Sequence, residues 1–313
     1  MSHHCQPAVI LPARKLHTNR TEVSCTVTSV DERLGLGVAV VRGWLLASAA
    51  LGLVLGAVFA VYPVIDLEVA RLFFNDQAAK FPLSTTYEWN LVRRLANWIP
   101  FLLLAPALFA LIRKMVFPGS KMMMAPSVVI FLIGSFIIGP GLTSNLLLKE
   151  NWGRPRPNQV HQFAGAADFQ PWWRPSEECP RNCSFVSGEA SQAFWVVAPA
   201  SLAPPQVRAT AMGAAVVFGA AVGGMRVIFG RHFVSDIIFA GIITIAIVMG
   251  LYRLLLDPVR RNDARLEKAI ERTSIALHRG IAALLGGAGT VLAHAGGTLR
   301  HTGQHLHKRI GCL

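Results

Sequence analysis

The sequence predicts an all-α protein, an integral membrane bundle of six transmembrane helices. Three observations carry this. Of 313 residues, 53% are apolar and only 15% are charged, and mean hydropathy is +0.45, too greasy for an ordinary soluble protein. Apolar stretches recur at about 20 residues, the length a helix needs to cross hydrocarbon. Short connections that carry Lys and Arg without acids mark one side of the membrane as cytoplasmic. Such flanks, together with an anion site, account for the formal net charge of +13. No basic patch with interleaved aromatics lies outside the apolar segments, so no nucleic-acid partner is expected.

Residues 1–42 are polar and mixed, and read as a flexible cytoplasmic arm with no cleavable leader. The first span runs from about Trp44 to Ile65. Asp66 to Asp76 follows, a short amphipathic piece expected at the interface, and Tyr87, Trp89 and Trp98 fit an aromatic belt. The second span covers about Ala96 to Val116, and Arg113, Lys114 and Lys121 place the next connection inside. The third runs from about Pro126 to Leu148, with a kink expected at Gly139-Pro140-Gly141. A polar loop, 149–184, is rich in Trp, Pro and Arg.

The fourth span begins near Phe185 and stops at Pro204-Pro205, with Arg208 in another basic connection. The fifth covers about Ala209 to Ile228, and its small residues allow close helix packing. The sixth covers about Phe233 to Leu256. Both termini are then cytoplasmic, and loops 66–94, 149–184 and 226–232 share the outer face. From Asp257 the tail holds nine Lys/Arg against four Asp/Glu, and an amphipathic helix lying on the surface is expected there over 280–297. The organisation is an arm (1–42), a transmembrane domain (43–256) and a basic cytoplasmic tail (257–313).

Of five cysteines, only Cys179 and Cys183 are close together. Their spacing resembles half a zinc site, but no partnering Cys or His pair follows, and no metal is expected. A disulfide between them requires an oxidising compartment and a suitable loop conformation.

Three groups of unusual residues fall on the outer side. Lys149 to Pro157 closes the third span, Ser184 to Glu189 opens the fourth, and Arg226 to Asp236 joins the fifth to the sixth. Two of these sit at helix N-termini, where free N–H groups and the macrodipole favour an anion. Lys149, Arg154, Arg156, Arg226 and Arg231 exceed the nearby carboxylates. A dianion such as phosphate is the natural guest, and Arg offers the planar fork that matches it. His232 and Asp236 are four apart and share a face if the helix has begun. The carboxylate then holds one imidazole nitrogen and leaves the other free to attack phosphorus. Ser187 and the Gly188 N–H are candidates for the phosphate oxygens.

At these residues the chain resembles the type 2 phosphatidic acid phosphatase superfamily of membrane lipid phosphatases. That family's motifs are Lys-x6-Arg-Pro, Pro-Ser-Gly-His and Ser-Arg-x5-His-x3-Asp. Here they read Lys149 to Arg156-Pro157, then Val186-Ser187-Gly188-Glu189, then Met225-Arg226 to His232 to Asp236. The resemblance spans about residues 60–255. It implies a six-helix bundle with a cofactor-free, metal-independent site at its outer (periplasmic) face. Lys149, Arg156 and Arg226 would bind phosphate, His232 would form a phospho-histidine, and Asp236 would be its partner.

The second-motif His, the expected proton donor, is Glu189 here, a catalytic candidate in its place. A carboxyl does that job only if burial raises its pKa, and the surrounding arginines push it the other way. Three readings follow. His161 supplies the proton, the leaving group needs little help, or Glu189 binds a substrate amine or hydroxyl. The implied substrate is a lipid phosphate, of lipid A type, a polyprenyl diphosphate or phosphatidate-like, in a bacterial inner membrane. A lipid phosphotransferase and a non-catalytic phospholipid-binding or transport relative are the alternatives.

Overall fold

A computed structural model describes residues 43–257 and 261–284 of the chain. The expectations for the arm 1–42 and for the tail beyond residue 284 lie outside the described residues. Regular structure there is helical, with isolated bridges at Asn75–Lys80 and Val160–Ala167 and no sheet among the described residues. Five helices are long and apolar enough to span a membrane: α1 (Gly43–Val61), α3 (Tyr87–Val116), α4 (Pro126–Asn151), α7 (Pro205–Ile228) and α8 (Val234–Leu255). Between α1 and α3 lies the short α2 (Val64–Arg71). The exposed Leu, Val, Phe and Trp side chains of α1 and α3 are the lipid-facing surface of the bundle.

The fourth apolar segment departs from a continuous span. It forms two short helices, α5 (Gly188–Phe194) and α6 (Val197–Ala200), separated by a tight turn at Trp195-Val196. There the bonds shorten to three-residue spacing, with Val196 N–H to Ala193 O at 3.1 Å and Ala198 N–H to Trp195 O at 2.7 Å. Irregular backbone at membrane depth is tolerated only where protein surrounds it. This segment meets that condition, since Ala190, Ala193, Trp195, Val197 and Ala198 are all buried. Trp195 donates its indole N–H to Ser135 Oγ at 2.9 Å. Phe194 wedges between Gly219 of α7 and Gly241 of α8, where any Cβ would overlap its ring. The fifth segment's small residues thus allow the close packing expected of them, and Gly241 of the sixth adds to it.

The kink expected in α4 is a π-helical stretch, Ile137–Leu148, around Pro140. Side chains use carbonyls five residues back: Thr143 Oγ1 bonds Ile138 O at 2.8 Å and Asn145 Nδ2 bonds Pro140 O at 2.7 Å. Widened turns of this kind satisfy carbonyls that a proline leaves without an N–H.

A final helix, α9 (263–284), folds back onto the end of the bundle opposite the loop-rich end. Its three carboxylates face inward. Asp263 accepts from Ser127 N–H at 2.9 Å, and Glu267 from Met122 N–H at 3.0 Å. Lys114, 2% exposed, pairs with Glu267 at 3.4 Å and Glu271 at 3.2 Å. Docking begins well before residue 280, because polar contacts with the α3–α4 connection fix the helix.

Candidate active site

The site grows from a turn. α7 ends at Ile228, and Gly230 follows with φ +62°, a conformation that costs glycine little. Arg231 N–H (2.9 Å) and His232 N–H (3.3 Å) both bond to Arg226 O. The chain therefore reverses and brings His232 back beside Arg226. α8 starts only at Val234, so His232 precedes the helix. The expected shared helix face for His232 and Asp236 is replaced by a cap, in which Phe233 N–H donates to Asp236 Oδ2 at 2.8 Å.

His232 is 2% exposed. Its Nδ1 lies 2.7 Å from the carbonyl oxygen of Ser184 and 3.7 Å from Asp236 Oδ2. The carbonyl, not the carboxylate, therefore holds the imidazole. A carbonyl only accepts, so Nδ1 carries the proton and Nε2 keeps its lone pair. Burial holds the imidazole far below its ordinary value, at about 4, against the upward pull of Asp236. The ring is neutral at neutral pH.

Asp236 is fully buried and engaged elsewhere. It accepts from the Ser184 hydroxyl and, at 2.5 Å, from Arg154 Nη1. Arg154 is also fully buried, and its Nη2 donates to Asp66 Oδ2 at 2.8 Å. Asp66 accepts in addition from Ser235 N–H and Oγ at 2.9 and 2.6 Å. Arg154, one of the surplus cations of the sequence, is thus a structural bridge between two carboxylates and not free for an anion. The stretch after the first span also delivers Asp66 to this network.

Of the other four cations, Arg231 is exposed, Arg226 and Arg156 are within electrostatic reach of His232, and Lys149 is within reach of both arginines. Arg226 is 8% exposed, its Nε has no hydrogen-bond partner, and its nearest carboxylate oxygen, on Glu189, is 3.6 Å away. Arg156 is half-buried, and its Nη2 is anchored by Asn182 O and Oδ1 at 2.8 and 3.0 Å. Burial and Arg231 lower its pKa from the usual guanidinium value. Lys149 is half-buried and within electrostatic reach of Arg156, Arg226 and Glu189. Asn182 belongs to a loop closed by a disulfide, Cys179–Cys183, and Cys183 N–H bonds Lys149 O at 3.0 Å. The loop therefore straps both cations. Such a cluster of desolvated positive charge is where a dianion gains most.

Ser187 is fully buried and caps α5, accepting from Ala190 N–H at 3.3 Å. Gly188 is required by close approach, because a Cβ there would overlap the side chain of Asn145. Glu189, next along, reaches α3. Its Oε1 accepts from Arg93 Nη1 at 2.7 Å and its Oε2 from Asn97 Nδ2 at 2.9 Å. His161 lies on an exposed turn, 3.7 Å from Asp168.

The aromatics of loop 149–184 are mostly interior. Trp172 packs on Phe239 with ring centroids 4.2 Å apart, Trp152 on Phe185 at 4.9 Å, and Phe169 on Phe233 at 5.2 Å. Phe163 is 2% exposed, and only Trp173 is turned out. Phe169 also lies against the Arg154 guanidinium, with its ring centroid 5.7 Å from the guanidinium carbon. Asp66, Arg93, Asn97 and Ser184 are site residues that the motifs did not reveal. A signal existed for two of them: Arg93 and Asn97 are polar at helical spacing on the edge of an apolar span. Among the described residues no group of three or more His, Cys, Asp or Glu is placed to hold a metal.

Comparison with known proteins gives concordant matches. Residues 127–260 match the PAP2 superfamily. The chain is 34% identical over 198 residues to a lipid A 4'-phosphatase of Francisella tularensis subsp. novicida (strain U112), covering 63% of this chain and 89% of that protein. A lipid A 4'-phosphatase of Rhizobium leguminosarum is 28% identical over 217 residues, covering 63% and 90%. One from Rhizobium etli is 29% identical over 210 residues, covering 63% and 82%. No solved structure matches.

Proposed function

The chain belongs to the PAP2 superfamily, and from that premise we propose that it is a metal-independent membrane phosphatase that removes the 4'-phosphate of a lipid A-type glycolipid. The observation that carries the reading is His232, a buried neutral imidazole whose Nδ1–H is fixed on a carbonyl, with Arg226 and Arg156 in electrostatic reach of it and Lys149 in reach of them. The names of the relatives supply the substrate class.

In the proposed reaction Nε2 attacks phosphorus in line, and the bond from phosphorus to the lipid oxygen breaks. The leaving oxygen takes up a proton from solvent water and departs as an alcohol. Water, or the hydroxide so formed, then attacks the phospho-histidine, breaking the N–P bond, releasing inorganic phosphate and restoring the neutral imidazole. The ring gains charge on phosphorylation, and Asp236 at 3.7 Å stabilises it. Lys149, Arg156 and Arg226 neutralise the phosphate oxygens, with Ser187 and Gly188 at the start of α5 beside them. The site faces the periplasm of a bacterial inner membrane, and the end bearing Arg113, Lys121, Arg208 and α9 faces the cytoplasm.

A panel of purified lipids tests the assignment. Phosphate is expected from a lipid A 4'-phosphate in preference to phosphatidate or a polyprenyl diphosphate. In isotopically labelled water the released phosphate carries the label. Label-free phosphate on a second lipid would identify a phosphotransferase, and no release from any lipid would overturn the reading.

The protonation state of His232 is a separate expectation. The nucleophile must be neutral, and burial stabilises the neutral form. Protonation, with loss of nucleophilicity, therefore sets in only as pH falls toward about 4. Nuclear magnetic resonance of ring-labelled histidine in the free protein should find His232 uncharged at pH 6, while exposed histidines are titrating. A ring that titrates near its ordinary value would contradict the buried site.

A further inference from the structure

The unexplained member of the site is Glu189, which stands where the family pattern has a proton-donating histidine. A general acid must hold a proton and offer it to the leaving oxygen. The surroundings of Glu189 do not allow that. Oε1 accepts from Arg93 Nη1, Oε2 accepts from Asn97 Nδ2, and Arg226 Nε stands 3.6 Å from Oε2. Both oxygens accept from a donor, and two of the three neighbours are permanent cations, so the surroundings favour the charged carboxylate over the protonated acid.

The same contacts define what the group does. Arg226 makes no direct hydrogen bond through Nε, and Glu189 is the carboxylate that orients it. Bare, this carboxylate would repel an incoming phosphate. Arg93 neutralises it, so that Lys149, Arg156 and Arg226 remain available as net positive charge. Arg93 and Asn97 are four apart on α3 and so share one face. Arg93 Nε and Asn97 Oδ1 are themselves buried without partners, which leaves hydrogen-bonding capacity at the same edge. α3 lies outside the segment that matches the superfamily, residues 127–260.

We propose that Glu189 is a positioning residue and not the proton donor, and that Arg93 and Asn97 of α3 complete the phosphate site by holding its carboxylate charged, neutralised and set against Arg226. This rests on the phosphatase reading above.

The test compares two leaving groups. A lipid alcohol needs a proton as it departs; p-nitrophenolate, from p-nitrophenyl phosphate, does not. Removing a general acid therefore harms only the first substrate, whereas misplacing Arg226 harms both. Glu189→Gln and Arg93→Ala are each expected to lower kcat/KM about 10- to 100-fold on both substrates. The loss should fall mainly in KM and in the inhibition constant of inorganic phosphate, with the alkaline limb of the pH profile retained. Arg93→Lys, which keeps the charge, should recover part of it. A loss confined to the lipid substrate, with the alkaline limb abolished, would overturn the proposal and make Glu189 the donor. Unchanged kinetics in both variants would overturn it as well. Thermal midpoints identify a folding defect, and the milder Arg93→Lys and Asn97→Ser variants then carry the comparison. His232→Ala is the control for the reading beneath it: turnover that survives in that variant refutes the phospho-histidine site whatever Glu189 does.

Discussion

Replacing His232 with alanine is expected to abolish phosphate release, by at least about 10³-fold in kcat, or roughly 4 kcal/mol of lost transition-state stabilisation. In the proposed reaction the change removes the atom that bonds to phosphorus, and nothing adjacent can substitute. Ser184 and Asp236 are fully buried and bonded to each other. The hydroxyl of Ser187 is spent on capping α5. Substrate affinity should change little, because Lys149, Arg156 and Arg226 stay in place. Single-turnover measurements with radiolabelled lipid, quenched in alkali, should trap labelled protein in the wild type and none in the variant. Wild-type protein that never carries label while turning over would count against the covalent route.

Replacing Arg154 with alanine is expected to have the largest effect on stability. Its guanidinium is fully buried between Asp66 and Asp236, 2.8 and 2.5 Å away, and lies 4.5 Å from the ring centroid of Phe233. A buried ion network contributes little net energy as a whole, because desolvation offsets attraction. Breaking it by removing one partner costs roughly 3–5 kcal/mol, since the carboxylates left behind are uncompensated. A drop in the unfolding midpoint of about 10 °C follows for a chain of this size. Asp66→Asn combined with Arg154→Met should recover part of the loss, as coupled residues do. An unaltered midpoint in Arg154→Ala would show that these carboxylates do not depend on it.

Much of this was legible in the sequence because membranes impose strong local rules. Backbone groups in hydrocarbon must be satisfied within the segment, so long apolar runs become helices. That is why five of the six expected spans appear as long helices. The run from Phe185 to Pro204 satisfied the same composition rule yet folds as α5 and α6. Hydropathy records that the segment avoids water, but not whether it faces lipid or protein, and only a protein-facing segment can be broken.

The residues of the site divide in the same way. Spacing at the span ends determined that Lys149, Arg156, Arg226 and His232 meet at one end, because each is tied to the end of an apolar segment whose direction the basic connections set. Tertiary structure decided the partners. It gave the imidazole to Ser184 O and not to Asp236, turned Arg154 from an anion ligand into a strut, and brought Asp66, Arg93 and Asn97 from distant spans. Hydrogen bonds are directional and short-ranged, so which of several nearby groups makes one depends on packing to within an ångström. Membrane insertion and charge at span ends follow from composition, and for that reason the sequence by itself determined the class of the protein and the end of the bundle at which the candidate site gathers.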